Sequence, residues 1–232
     1  MGYKKSKVGL PQGSILRPIL ANIYAHYVID LWFLKVVPKH TVGKTAIFRY
    51  CDDLIVCNTD TRDIAKITHG LSLRLSKFGL KLNKDKTKTI KFNRYTFERG
   101  VKQESFDFLG FTFYLSKAIA GFATIKVKTS KKTMKAKLAN VKTWVRENRF
   151  EGGILSIWND FRRKLQGHIV YFGVTNNCES VVEFLYQAHR IFYKWMNRRS
   201  QKKSLNWEQF NLFVKQYPMP RAKIYHQLYR SI

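Results

Sequence analysis

Nine residues, Phe48-Arg49-Tyr50-Cys51-Asp52-Asp53-Leu54-Ile55-Val56, constrain the fold of this chain more than any other stretch. Two β-prone apolar runs, Thr45 to Tyr50 and Leu54 to Asn58, flank a pair of adjacent carboxylates. The spacing predicts a tight hairpin with the acids at its turn. Alternation along a strand would send Asp52 and Asp53 to opposite faces, but a turn breaks the alternation and lets both approach one cation. Carboxylate oxygens are the hard ligands that Mg²⁺ prefers. Asp-Asp is equally ordinary turn chemistry, so the surroundings must choose between the two readings.

Charge narrows the class. The 232 residues carry 43 Lys plus Arg against 15 Asp plus Glu, a formal net charge of +28. The excess is spread out: 21 basic and 9 acidic side chains in residues 1–125, then 22 and 6 in residues 126–232. Self-repulsion on this scale asks for a polyanionic partner. With 15% aromatic residues, nucleic acid is the first candidate and an anionic membrane surface the second. The 45% hydrophobic content supports globular folding, with one sizeable core or two modest ones. No apolar run approaches the roughly 20 residues of a spanning helix, and the start Met1-Gly2-Tyr3-Lys4-Lys5 lacks a signal-peptide core. The expectation is a cytoplasmic protein without membrane partners. Cys51, Cys57 and Cys178 are too few and too badly spaced for a disulfide framework or zinc. His168, Cys178 and His189 match no familiar ligand spacing and are read as packing or RNA contacts.

In chain order, Gly9-Leu10-Pro11-Gln12-Gly13-Ser14 reads as a fixed loop. Ile19, Leu20, Ile23, Tyr27, Leu31 and Leu34 predict a helix from Pro18 to Val36, closed by Pro38, with that stripe packed beneath the hairpin. Asp60 or Thr61 caps a helix to Phe78, buried through Ile64, Ile67, Leu71 and Leu75 and stopped at Gly79. Short strands are expected at 80–82 and 87–92 around the turn Asn83-Lys84-Asp85-Lys86, then a polar loop from Arg94 to Gln103. Phe106 to Tyr114, with Gly110 at its centre, reads as a strand or hairpin, and Phe122 to Val127 as its partner. Near Lys128 strands give way to helices alone, which divides the chain into domains 1–127 and 128–232. Four helices follow: Ser130 to Asn148; Ile154 to Tyr171, burying Ile157, Trp158, Phe161 and Leu165; Ser180 to Arg199, burying Val182, Leu185, Ile191 and Trp195; and one capped by Ser204 or Asn206. Basic side chains lie opposite these apolar stripes, interleaved with Trp144, Tyr171, Tyr186, Tyr193 and Trp207. Lys131, Lys132, Arg162, Arg163, Arg198, Arg199, Lys202 and Lys203 are the candidate RNA contacts, the last four the densest patch. A solvating face would mix signs.

Several motifs in register resemble the C-terminal portion of a group II intron-encoded reverse transcriptase and maturase. They are Gly9-x-Pro11-Gln12-Gly13 with Pro18-x-Leu20-Ala21-Asn22-Ile23, Arg49-Tyr50-x-Asp52-Asp53, Gly79-Leu80-x-Leu82-x-x-x-Lys86-Thr87 and Phe108-Leu109-Gly110-Phe111. Leu165-x-Gly167-His168-x-x-Tyr171-x-Gly173 and Trp195-x-Asn197-Arg198-Arg199-Ser200-Gln201 are similar to the family's maturase domain. The resemblance implies an α+β fold: a partial reverse-transcriptase palm of antiparallel sheet and packed helices, followed by an all-α thumb and maturase domain.

The resemblance also implies roles. Asp52 and Asp53 match the catalytic, metal-binding acids, with Asp52 the better direct ligand and Mg²⁺ the expected cofactor. Tyr50 matches the aromatic residue of that box, Gln12 and Gly13 the loop beside the nascent base pair, and Lys86 a phosphate contact. Phe108, Leu109 and Gly110, with Phe111, match the turn that grips the primer. The implied partners are intron RNA, an RNA/DNA template-primer and a chain supplying an N-terminal half. Cys51 and Arg17 depart from the Ala and Ser common at those positions. Only eight residues precede Gly9, and no Asp or Glu occurs before Asp30. The family's fingers and its third metal-binding acid are therefore not expected, and little or no autonomous polymerase activity is the expectation. A non-catalytic RNA-binding module assisting splicing, or a decayed fragment, is the alternative. No zinc-nuclease pattern supports DNA cleavage.

Overall fold

The computed structural model describes residues 16–199 and 205–228. The chain divides into two compact units, Met1–Lys91 and Phe92–Ile232, and each is α+β. This boundary follows contacts, whereas the proposed one at residue 128 follows the change to helices alone.

The first unit opens with one helical run: α1 (Arg17–Ala25), a π-helical turn (His26–Asp30), α2 (Leu31–Lys35) and α3 (Val37–His40). At the wide turn the Leu31 N–H donates to the His26 carbonyl. One extra residue rotates everything after it by about 100°. That corrects the expected stripe. Val28, Ile29, Phe33 and Val37 are buried, whereas Ile19, Leu20, Ile23, Tyr27 and Leu34 are exposed. Pro38 does not close the helix but sits in the first turn of α3, where its missing N–H costs nothing. The run Arg17–His40 is long and apolar enough, by length and composition, to cross a membrane, against the expectation that no segment qualifies. Its buried residues, Val28, Ile29, Phe33 and Val37, pack in the core of the first unit.

β1 (Thr45–Tyr50) and β2 (Asp53–Asn58) form the antiparallel hairpin. α4 (Thr61–Lys77) follows, capped by Asp60 through the Arg62 N–H and burying Ile67, Leu71 and Leu75. Gly79 ends it at φ +68°. Ile47 and Leu54 of the hairpin pack with Val28, Ile29, Leu71 and Leu75. The entry to β1 is held by buried Asp63 of α4, which accepts from the backbone N–H groups of Val42 and Gly43 at 2.8 Å each. Gly43, and then Val42, keep this carboxyl below its usual range. The segments 80–82 and 87–92 form no strands. Leu80 and Leu82 fold back on the core, and Asn83 makes the predicted turn by accepting from the N–H groups of Lys86 and Thr87.

In the second unit the expected polar loop contains a short helix, α5 (Arg94–Glu98), capped by Asn93. β3 (Ser105–Phe108), β4 (Phe111–Lys117) and β5 (Ala123–Thr129) form one antiparallel sheet in chain order. Four helices complete the unit: α6 (Lys131–Asn148), α7 (Ile154–Phe172), α8 (Cys178–Met196) and α9 (Trp207–Gln216). Ser130 caps α6, and Asn206 forms a capping box with Gln209 at α9. Ile157, Trp158, Phe161 and Leu165 are buried as their spacing predicts. α8 begins two residues before the expected Ser180, and its inner face is Val181, Phe184, Leu185, Ala188, Phe192 and Met196, while Val182 is exposed. Trp158 lies at the centre, ringed by Phe161, Phe192, Phe210 and Phe213, its Nε1 donating to the Tyr217 carbonyl at 2.8 Å.

Candidate active site and nucleic-acid interface

Tyr50 pairs with Asp53 across the hairpin, leaving Cys51-Asp52 as a two-residue loop. Such loops favour backbone with positive φ. Here Cys51 adopts φ +54°, a conformation that costs a side-chain-bearing residue about 1 kcal/mol. Asp52, Asp53 and Tyr50 are all exposed. Direct pairing places Tyr50 and Asp53 on the outer face beside Phe48 and Ile55.

Arg49 points to the other face. Its Nε and Nη2 donate to the two oxygens of Asp30 at 2.8 and 2.7 Å, and its Nη1 to Asn22 Oδ1 and the Cys51 carbonyl, each at 2.9 Å. The loop is therefore clamped from below to α1 and the π turn. The Arg49 guanidinium holds the Asp30 carboxyl below its usual range, and Asp30 raises Arg49 in return.

Neither Asp52 nor Asp53 makes a hydrogen bond or ion pair among the described residues. Their oxygens are free to bind a cation. Mg²⁺ commonly takes only one or two carboxylates from a protein and completes its shell with water and substrate phosphates, so the donor set fits such an ion. Among the described residues no group of three or more His, Cys, Asp or Glu side chains could hold a metal. Asp30, committed to Arg49, does not join the pair.

Gln12, Gly13, Lys202 and Lys203 lie outside the described residues. Lys86 is exposed in the turn after α4. Phe108, Leu109 and Gly110 form the β3–β4 corner, where Leu109 and Gly110 take φ +50° and +83°. Two bonds pin that corner. Ser130 N–H donates to the Gly110 carbonyl at 2.9 Å, and Tyr171 Oη to the Leu109 carbonyl at 3.1 Å. A Cβ on Gly110 would meet Thr133 only at ordinary contact distance, so it is the positive φ that favours glycine there.

The basic candidates divide. Lys131 and Lys132 are exposed in the first turn of α6, where the helix dipole disfavours cations and attracts phosphate. Arg163 pairs with Asp160, and Arg162 is half-buried with its Nε unpartnered. Arg198 stacks over Trp195 at 5.1 Å, and Arg199 donates to the Gly152 carbonyl at 2.7 Å. Sequence reasoning missed Arg149, which lies over both Phe150 and Trp195 at 4.5 and 5.2 Å. Its signal was the Arg-Phe pair just before Gly152. Also missed was Asn177, fully buried, whose side chain accepts from the Thr129 N–H at 2.6 Å and donates to the Phe172 carbonyl at 2.8 Å. It ties the end of β5 to the end of α7.

A two-residue hairpin presenting two free carboxylates, backed by helices, is the arrangement of a polymerase palm hairpin. Residues 2–113 match the model of the reverse transcriptase (RNA-dependent DNA polymerase) family. The matched stretch, just under half of the chain, takes in both Asp52 and the β3–β4 corner. No curated protein matches the chain.

Proposed function

We propose that this chain is a cytoplasmic reverse transcriptase and maturase of the group II intron type, which binds intron RNA and acts on an RNA/DNA template-primer. The observation that carries the synthetic part is the Asp52-Asp53 pair, held without ionic partners among the described residues at a clamped turn in a chain of net charge +28. Asp52 and Asp53 would hold Mg²⁺, which supplies activation of the primer hydroxyl and neutralisation of the triphosphate. Tyr50, on the same face as Asp53, would contact the nucleotide or primer. Phe108, Leu109 and Gly110 would support the primer on the pinned corner, and Lys86 would contact phosphate.

Support for RNA binding is the placing of Arg149 and Arg198 over Trp195, with Arg199 on the Gly152 carbonyl, and of Lys131 and Lys132 at the dipole-positive end of α6. Charge neutralisation and stacking then act together. A second reading, an RNA-binding module without synthesis, is favoured by one observation. Asp30, the first acid in the chain, is locked to Arg49, which leaves two carboxylates where a preorganised metal centre gains from three.

Primer extension on an RNA template with Mg²⁺ separates the readings. Synthesis by the purified chain that disappears in Asp52→Asn, with RNA retention unchanged, supports the polymerase. Salt-sensitive RNA retention without synthesis supports the binding module.

A further inference from the structure

Beside the β3–β4 corner, α6 and α7 enclose a cleft of about 650 Å³. Its volume lies within the range of small-ligand pockets. Trp144, Phe161 and Tyr171 supply flat aromatic walls. On the floor His168, 8% exposed, stacks on Phe184 with ring planes 13° apart, and its Nε2 is buried without a hydrogen-bond partner. A buried polar atom left unpaired is costly and uncommon. Lys137, Lys164 and Asn140 also line it, with the Lys164 ammonium 5.1 Å from the Trp144 ring and no acidic side chain in the lining among the described residues. Gly167 stands mid-helix in α7 with open space where a Cβ would be. Glycine is a poor residue in a helix interior, and here its effect is to leave the cleft open.

We infer that this cleft binds a single nucleotide: its base between the aromatic walls, one base-edge group on His168 Nε2, and its phosphate on Lys137 and Lys164. The apolar walls with one hydrogen-bonding nitrogen suit a base, which pairs a π-face with a polar edge. The two ammoniums suit the attached phosphate. The nucleotide has two sources, one splayed out of a bound RNA strand or a free mononucleotide. The inference rests on the nucleic-acid reading of the second unit.

The test titrates the full chain with the four ribonucleoside 5′-monophosphates, and with adenosine and inorganic phosphate alone, by saturation-transfer NMR. RNA retention is measured on the same samples. Saturable binding of at least one monophosphate is expected, at least tenfold tighter than adenosine. Gly167→Leu, which fills the cleft while improving helix propensity, should weaken it at least tenfold, and His168→Phe should do likewise while keeping the stack on Phe184. Lys137→Ala with Lys164→Ala should remove the advantage of monophosphate over nucleoside. Competition by a single-stranded RNA assigns the site to a splayed nucleotide, and no competition assigns it to a free one. No saturable binding, or binding indifferent to Gly167→Leu, overturns the inference. If RNA retention persists in that case, the cleft alone has failed. If wild-type retention is also absent, the nucleic-acid reading has failed with it.

Discussion

Arg49 and Asp30 meet end to end, with two near-parallel bonds of 2.8 and 2.7 Å, and through them the loop carrying Asp52 is tied to the π turn of the first helical run. Both side chains are largely withdrawn from solvent, at 12% and 23% exposure. The pair does two things. It orients the hairpin, and it removes Asp30 from any metal site.

Asp30→Asn leaves the Arg49 guanidinium short of a counter-charge in a partly buried site. A loss of about 1–3 kcal/mol in urea unfolding is expected. Because the folded carboxyl titrates below the ordinary 3.8 of an aspartate, its contribution is present above that value and lost as pH falls through the lower folded one. The Asp30→Asn variant should show a shallower acid limb, and an unchanged limb would count against the clamp.

At the loop itself, Asp52→Asn should move stability by less than about 0.5 kcal/mol, since the side chain is exposed and unpartnered. If the chain synthesises DNA, the same change should cost at least about 100-fold in rate. Loss of folding instead of loss of synthesis would make Asp52 a structural residue.

Cys51→Gly relieves the left-handed backbone at φ +54°. The expected gain is about 0.5 kcal/mol, strain relief being partly offset by the larger unfolded-state entropy of glycine. Thermal unfolding checks the sign.

Asn177→Ala strips partners from the Thr129 N–H and the Phe172 carbonyl inside the second unit. A cost of about 2–4 kcal/mol is expected. A change below about 1 kcal/mol would mean that water replaces the amide.

His168 is pushed down to about 4, first by burial and then by the charge of Lys137. Unfolded, it titrates near 6.5, so the unfolded state binds the extra proton between these values. Stability should therefore fall by about 3 kcal/mol as pH drops from 6.5 to 4. His168→Phe should abolish that component, as read by unfolding at pH 7 and pH 4.5.

The sequence determined what depends on neighbours along the chain. The hairpin with its acids at the turn follows from two β-prone runs and a loop sequence. Ser130, Asp60 and Asn206 cap their helices because a side-chain oxygen reaches an N–H two or three residues on. The stripe of α7 was legible because an unbroken helix keeps its 3.6-residue period. Tertiary structure decided the rest. The π turn at His26–Asp30 re-phases the helical run that follows it, while α1 before it buries no residue. Leu80 and Leu82 gained more from the α4 core than from an isolated strand pair. The Arg49–Asp30 clamp, the Asn177 tie and the cleft over His168 join residues 19, 48 and more positions apart. Such long-range contacts form only after the chain has closed, so the side chains that make them look in sequence like any other arginine, asparagine or histidine.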